Sequence, residues 1–210
     1  MMNWGRHIQN SNTFDTDMEV ITVRNARKED ASDVAWLIMM AWPVEEFLAM
    51  DESLTEESLH ERIQSYVEAD DTLYSYRNTI VAVCGDRICG AINGYDGARY
   101  EDLKRPITED FSARYPNAQN DFSLVHETEA GEYYLDSIGV DPSMRSHGIG
   151  SRLFKAAIDR AAKEGFTRAG LIVDVDKPKA EALYIRLGFK TVGMKDFFGH
   201  PMKHMQIEVR

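Results

Sequence analysis

A short glycine turn between a predicted strand and a predicted helix constrains this chain more than any other segment. Residues 145–150 read Arg-Ser-His-Gly-Ile-Gly, after an apolar run at residues 133–140 and before an amphipathic pattern at residues 151–164. Gly148 and Gly150 lack side chains, so an anion can approach the backbone closely. The first N–H groups of a helix have no acceptor within it and lie at the positive end of its dipole. The turn is therefore predicted to bind a phosphate.

The glycine spacing separates this turn from two common phosphate loops. A dinucleotide-binding turn needs a third glycine, and a nucleoside triphosphate loop needs Gly-Lys followed by Ser or Thr. The turn has neither pattern. Further along, residues 180–189 read Ala-Glu-Ala-Leu-Tyr-Ile-Arg-Leu-Gly-Phe, which predicts a short helix followed by a strand. The two segments are more specific together than either is alone.

Together they resemble the GCN5-related N-acetyltransferases, the GNAT family. The turn is similar to the family's Arg/Gln-x-x-Gly-x-Gly/Ala pyrophosphate loop, and residues 180–189 are similar to its Ala-x-x-x-Tyr-x-x-x-Gly-Phe element. The resemblance covers residues 132–192. It implies the acyl-CoA N-acyltransferase fold, a mixed, splayed sheet of six to seven strands flanked by helices, with acetyl-CoA as co-substrate.

Hydrophobic periodicity by itself predicts only an α/β or α+β domain. Strands are predicted at residues 21–26, 79–84, 87–93, 133–140, 168–175, 189–194 and 202–209. Helices are predicted at residues 30–42, after a capping box at residues 53–56, and at residues 151–164 and 178–187. We interpret the chain as a flexible N-terminal segment, residues 1–19, and a single N-acetyltransferase domain, residues 20–210. The pattern fails at about residues 95–131, where we expect a substrate-facing insertion with at most a short helix at residues 108–114.

The composition limits the classes of molecule that this protein is expected to bind. A net charge of −11 argues against nucleic acid, which requires a basic surface. It mildly favours a cationic acceptor, although acidity for solubility explains the same charge. The sequence lacks an apolar run of the length that a signal peptide or a membrane span requires, so we expect a cytoplasmic protein without membrane contact. Cys84 and Cys89 are predicted to be reduced thiols. The sequence does not decide between a monomer and a homodimer.

Acetyl transfer to an amine requires a base, because an alkyl ammonium with a pKa of about 10.4 is almost fully protonated near neutral pH. Alternation along the predicted fourth strand places one set of residues on a common face: Glu132, Tyr134, Asp136, Ile138 and Val140. Tyr134 occupies the position of the glutamate base in the histone-modifying branch of the family. Asp136 is the first candidate for the base, since desolvation raises a carboxyl pKa, and Glu132, acting through water, is the second. A purely structural Asp136, bonded to a backbone N–H or a basic side chain, remains the alternative.

Tyr184 matches the family tyrosine that points at the coenzyme sulfur. A phenol with a pKa of about 10 is protonated at neutral pH and can donate to a thiolate whose pKa is about 8.5. Tyr184 also belongs to an ordinary inward helical stripe with Ala180, Leu183 and Leu187. The resemblance favours the role of general acid.

The resemblance also implies coenzyme contacts along three segments. Ile138, Gly139 and Val140 would offer backbone groups to the pantetheine arm and the thioester oxygen. The pyrophosphate would be bound by Arg145, Ser146, His147, Gly148, Ile149, Gly150 and Ser151. Lys177 stands where the family frequently has an asparagine, and its amine can reach a phosphate. Tyr184 would contact the sulfur.

His200 and His204 have the spacing of metal ligands only if they lie on a helix. Pro201 beside a strand-like segment argues against that, so we expect no metal site. The sequence therefore predicts an enzyme that transfers acetyl from acetyl-CoA to a primary amine of a small molecule or peptide. The amine attacks directly, with a base on the fourth strand and Tyr184 as acid. The alternative is a non-catalytic acyl-CoA-binding sensor or regulatory module on the same fold.

Overall fold

The computed structural model describes residues 20–42, 44–49, 51, 53–115, 126–197 and 199–210. The strands are β1 (Ile21–Asn25), β2 (Thr79–Cys84), β3 (Arg87–Asp96), β4 (Tyr133–Val140), β5 (Arg168–Asp174), β6 (Lys190–Phe197) and β7 (His200–Glu208). The helices are α1 (Ala31–Met39), α2 (Val44–Leu48), α3 (Glu56–Glu68), α4 (Tyr100–Arg114), α5 (Ile149–Lys163) and α6 (Pro178–Leu187). The N-terminal segment predicted to be flexible, residues 1–19, lies outside the described residues.

The described strands form a seven-stranded mixed sheet in the order β1-β2-β3-β4-β5-β7-β6. Neighbouring strands are antiparallel except β4 and β5, which are parallel. These two strands pair only at Tyr133 with Ala169 and at Tyr134 with Gly170. Beyond these pairs they diverge and leave a gap at their carboxyl ends. The predicted mixed and splayed sheet is thereby confirmed.

Each face of the sheet carries its own apolar core. On one face α1 and α3 pack with Val34, Ile63 and Tyr134, which are wholly buried. On the other face α5 packs through Leu153 and Phe154. The helical spacing of apolar residues in α5 produces this contact, because residues three and four apart share one face. Helix α6 lies at the rim of the second core with half-buried side chains.

A bulge in β4 divides that strand into two parts that face opposite ways. The pairing of β4 with β3 shifts its register by one residue between Leu135 and Ile138. Tyr134 packs in the core of α1 and α3, whereas Ile138 and Val140 pack against the core of α5. The prediction of one common face is therefore wrong beyond Asp136, because an extra residue reverses the alternation of side chains.

Helix α4 is the largest departure from the sequence prediction. The pattern predicts an irregular segment with a short helix at most, whereas the helix spans Tyr100–Arg114. Pro106 within it misled the prediction, since proline removes a backbone donor and usually ends a helix. The helix persists because Leu103 is buried and because Arg105 pairs with Asp102 at 2.9 Å on its exposed side.

Helices α3 and α5 also begin at other residues than predicted. Helix α3 has a capping box in which Ser58 N donates to Thr55 Oγ1 at 3.1 Å and Thr55 N donates to Ser58 Oγ at 3.0 Å. The box therefore starts later than predicted. Helix α5 begins at Ile149, with Gly148 as its N-cap in the left-handed region at φ 74°. Gly150 consequently lies within the first helical turn.

Candidate active site

The glycine turn exposes the start of α5 to an anion. A Cβ on Gly150 would meet no atom within 4 Å, and α5 has no acidic residue in its first turn. The N–H groups of Ile149, Gly150 and Ser151 belong to the helix start and have no acceptor within the helix. The imidazole of His147 faces the turn's own backbone, with Nδ1 2.8 Å from Arg145 O. Space and charge therefore suit a phosphate bound through the backbone.

Two residues of this turn adopt left-handed backbone conformations. Gly148 has φ 74° and Ser146 has φ 68°. Glycine takes this conformation freely, whereas a residue with a Cβ is strained by about 1–3 kcal/mol. Such strain persists where the surrounding structure fixes the backbone, and it is common at ligand-binding sites. Ser146 is thus a strained position within the turn that joins β4 and α5.

The end of β4 presents a free backbone edge to the gap. Ile138, Gly139 and Val140 pair with β3 on one side, and on the other side β5 has diverged. Among the described residues no strand pairs with this second edge, so an extended ligand can add to it as a strand would. Gly139 lies directly against α1, where a Cβ would be 2.1 Å from Leu37 O. Only glycine lets the helix and the strand approach so closely.

Helix α6 brings Lys177 and Tyr184 to the other side of the gap. Pro178 in its first turn and Gly188 at φ 101° after its last fix the ends of the helix, as the sequence predicts. The Tyr184 ring packs edge-on against Phe154, with 5.6 Å between the ring centroids. Burial raises the pKa of Tyr184 above its ordinary value. The phenol therefore holds its proton at neutral pH and can act as a donor.

A cleft of about 300 Å³ lies between α3, α4 and the gap in the sheet. It brings together four residues predicted from the sequence: Asp136, Ile138, Lys177 and Tyr184. The rest of its lining is mainly apolar and includes Trp42, Phe47, Leu59, Ile63, Tyr66, Leu73, Tyr74, Tyr100, Ile107, Phe111, Phe197 and Met202. The glycine turn and Glu132 do not line it.

Asp136 lies at the β4 bulge with its carboxylate in the cleft. The Tyr95 hydroxyl donates to Oδ2 at 2.6 Å, and Ser137 Oγ donates to Oδ1 at 2.8 Å. Burial raises the pKa of the Asp136 carboxyl, and the two hydrogen bonds offset only part of that rise. Asp136 thus lies in the partly desolvated environment that suits a base.

A second carboxylate, Glu127, faces the same cleft from the segment before β4. The Tyr100 hydroxyl donates to Oε1 at 3.0 Å, and the Tyr134 hydroxyl donates to Oε2 at 2.9 Å. Burial and the neighbouring charge of Asp136 raise the pKa of Glu127 to about 7. Since the two carboxyls interact, their protons titrate as those of a pair. The pair can therefore hold or accept a proton near neutral pH.

Glu132 has a different environment, although it immediately precedes β4. It is wholly buried, Gln206 Nε2 donates to its Oε2 at 2.7 Å, and His204 Nε2 lies 2.9 Å from the same oxygen. The Glu129 N–H donates to Oε1 at 2.9 Å. Burial raises the pKa of Glu132, but these hydrogen bonds outweigh it and the net pKa is lowered. The arrangement is that of an ionised structural carboxylate.

Glu127 and its tyrosine partners are candidate site residues that the sequence did not indicate. Glu127 lies in the segment at residues 95–131, where no periodicity indicates which side chains face inward. The one available signal is that acidic and aromatic residues alternate along this segment. That alternation marks the segment as unusual without identifying the carboxylate that reaches the cleft.

The two C-terminal histidines contact different carboxylates. They lie on strand β7, where His200 Nδ1 is 3.7 Å from Asp174 and His204 is held by Glu132. Within the described ranges no group of three or more His, Cys, Asp and Glu side chains could hold a metal ion. In the same part of the chain, no helix is long and apolar enough to cross a membrane.

The fold and the site define an α/β protein with an open glycine turn at the start of α5, beside a splayed mixed sheet. The family model described as "Acetyltransferase (GNAT) family" matches residues 36–189. The chain belongs to this family, which confirms the family that the sequence motifs predict. A crystal structure of an acetyltransferase is similar over 90% of this chain and 100% of that chain, with a TM-score of 0.74 and 30% identity.

Curated relatives match a shorter stretch. The chain is 37% identical to N-alpha-acetyltransferase RimI of Mycobacterium tuberculosis over 76 residues, which are 35% of this chain and 44% of the relative. It is 36% identical to mycothiol acetyltransferase of Gordonia bronchialis over 76 residues, 36% of this chain and 24% of the relative. The match thus spans less than half the length of either relative.

Proposed function

We propose that this protein transfers the acetyl group of acetyl-CoA to a primary amine by direct attack, without a covalent enzyme intermediate. One observation carries the proposal. A single cleft holds a carboxylate pair of raised pKa, Asp136 and Glu127, together with the buried phenol of Tyr184. A base for the amine and an acid for the leaving group are the two proton-transfer groups that this reaction needs.

The coenzyme would be held largely by the backbone. The N–H groups at the start of α5 would bind the pyrophosphate, and the free edge of Ile138, Gly139 and Val140 would bind the pantetheine arm. The free space around Gly150 and the absence of acidic residues from the first turn of α5 support binding of the pyrophosphate at this helix start. Lys177, exposed at the start of α6, would add a positive charge.

The carboxylate pair would remove the proton from the incoming ammonium. While one carboxylate remains charged and holds the ammonium, the other accepts the proton. The amine nitrogen then bonds to the acetyl carbon and the carbon–sulfur bond breaks. Tyr184 gives its proton to the departing thiolate and is reprotonated by the second proton of the amine. Glu132 takes no part in this scheme, because His204 and Gln206 already engage its carboxylate.

The coenzyme site is tested by Gly150→Asp with Gly150→Ala as its control. Both side chains have room, but only aspartate places a negative charge where the pyrophosphate would bind. Titration calorimetry with coenzyme A should show about tenfold or greater loss of affinity for Gly150→Asp and a change within a few-fold for Gly150→Ala. Equal affinities of the two folded variants would refute the placement.

The chemistry is tested by Tyr184→Phe in a thiol-release assay with acetyl-CoA and a panel of amines. Loss of the proton donor should lower turnover by about 10²–10⁴ and leave coenzyme affinity within a few-fold. Unchanged turnover, with chemistry rate-limiting, would return Tyr184 to a packing role. Coenzyme binding without thiol release for any amine would favour the non-catalytic sensor instead.

A further inference from the structure

We infer that the acceptor is a small primary monoamine with an uncharged aromatic or aliphatic body. The inference rests on the proposed acetyl transfer and concerns the substrate class of the same cleft. It follows from where the cleft places its charges, its aromatic rings and its cations.

The negative charge of the cleft is confined to one place. Among the described lining residues the carboxylates are Glu127 and Asp136, and they are close enough to influence each other's ionisation. The hydroxyls of Tyr95, Tyr100 and Tyr134 donate to this pair, so its oxygens are oriented and their surroundings are aromatic. Carboxylates beside aromatic rings suit one ammonium group.

Away from this pair the cleft is built from apolar side chains. Trp42 stacks on Phe47 with centroids 4.8 Å apart, and Phe47 meets Phe111 edge-on at 6.2 Å. Ile63 and Ile107 line the cleft beside these rings. Hydroxyl or amide groups that lost water against this surface without a hydrogen-bond partner would weaken binding. The surface therefore suits a hydrocarbon body and disfavours a sugar.

A second ammonium would meet positive charge. Arg62, Lys104 and Lys177 line the cleft, and Lys104 is also close enough to Glu127 to act on its charge. Arg62 and Lys104 each have a carboxylate partner outside the lining. Arg62 lies 3.4 Å from Asp110, and Lys104 lies 3.3 Å from Glu101. These partners are already engaged, so they offer little to the second charge of a polyamine. A volume of about 300 Å³ is at the lower end for small-molecule sites and also favours a compact acceptor.

The test compares two acceptors of the same length. Hexylamine and 1,6-diaminohexane differ only in the second ammonium, and glucosamine adds a polar body. We expect kcat/KM for hexylamine to exceed that for either of the others by about 10–200-fold, with rates corrected for the neutral fraction of each amine. Preference for the diamine or for glucosamine would overturn the inference.

A matched pair of variants tests the cause of the preference. Ile107→Glu places a carboxylate on the α4 wall, and Ile107→Gln adds a polar group of similar size without charge. The ratio of kcat/KM for hexylamine over diaminohexane should fall about tenfold more in Ile107→Glu than in Ile107→Gln. Equal ratios in the two variants would show that charge does not set the selectivity.

Binding separates the failure of this inference from the failure of the proposed function. Calorimetric titration of both amines into protein saturated with coenzyme A measures the same preference without chemistry. Absence of thiol release for every amine would overturn acetyl transfer, whereas the order of affinities would still decide the class of ligand. Tighter binding of diaminohexane would refute the inference whether or not the protein turns over.

Discussion

Glu132 immediately precedes β4 and Asp136 lies within it, yet the carboxyl groups of these two nearby residues have opposite environments. Glu132 is wholly buried, and the donors around it belong to His204, Gln206 and the Glu129 backbone. Asp136 is held by the hydroxyls of Tyr95 and Ser137. The pKa of Glu132 is lowered and that of Asp136 is raised.

The number and strength of the donors account for the difference. Burial favours the neutral form of both carboxyls. Around Glu132 an imidazole, an amide and a backbone N–H offset that effect and stabilise the anion. Around Asp136 two hydroxyls do not suffice, and the second carboxylate, Glu127, is nearby. Burial alone therefore does not identify a base, since the surrounding donors decide whether the carboxyl keeps a usable pKa.

Asp136→Asn gives the largest expected effect. If Asp136 is part of the base, turnover should fall by about 10²–10⁴ with little change in the melting temperature, because the amide oxygen still accepts from Tyr95. Loss of the neighbouring charge should also lower the pKa of Glu127, which moves the acidic limb of the pH–rate profile to lower pH. Profiles of both proteins beside their melting curves measure this. A profile displaced by a constant factor, in step with the folded fraction, would reduce Asp136 to a structural residue.

Glu132→Gln should affect stability rather than chemistry. Weakening the buried hydrogen bonds from Gln206, His204 and the Glu129 backbone costs about 1–3 kcal/mol, and each kcal/mol corresponds to roughly 2–4 °C of melting temperature for a chain of this size. Because the pKa of Glu132 is lowered by folding, its stabilisation is complete above the ordinary pKa and is lost as the pH falls. The variant should therefore approach wild type only in acid. Turnover per folded molecule should be unchanged, and a large fall in it would give Glu132 a catalytic role.

Glu127→Gln should have the smallest effect on stability, with the opposite pH dependence. The pKa of Glu127 rises on folding from 4.5 to about 7, so its contribution to stability is greatest below 4.5 and is lost as the pH rises through 7. The glutamine variant avoids that loss and should melt a few degrees higher than wild type at pH 8, with a smaller difference at pH 5. Calorimetric melting at the two pH values tests this. A difference that is the same at both would contradict the raised pKa.

The local structure on the side proposed to bind the coenzyme could be predicted from the sequence, because it depends on nearby residues of the chain. Gly148, Gly150 and Gly188 mark the ends of helices within a few residues of chain, and Tyr184 has a fixed place in such a helix. In the structure Gly148 and Gly150 lie at the start of α5, Tyr184 lies within α6 and Gly188 follows the end of α6. Both helices border the gap between β4 and β5.

The cleft proposed to bind the acceptor could not be predicted in the same way. Glu127 reaches the cleft only because the chain before β4 folds back against Tyr100 of α4, and no local pattern records that contact. Pro106 disguised α4, and one extra residue near Asp136 reversed the facing of Ile138. Each of these features depends on tertiary contacts that override local propensity.

The bulge in β4 also has a consequence for engineering this protein. The bulge determines which side chains face which side of the sheet. Before it the even-numbered residue Tyr134 faces α1, whereas after it the even-numbered residues Ile138 and Val140 face α5. Inserting one residue after Ser137 would turn Ile138 towards α1, where only the glycine at 139 leaves space. Such an insertion would thus alter the strand more than any change of side chain. Libraries that vary the acceptor cleft should therefore hold the length of β4 constant.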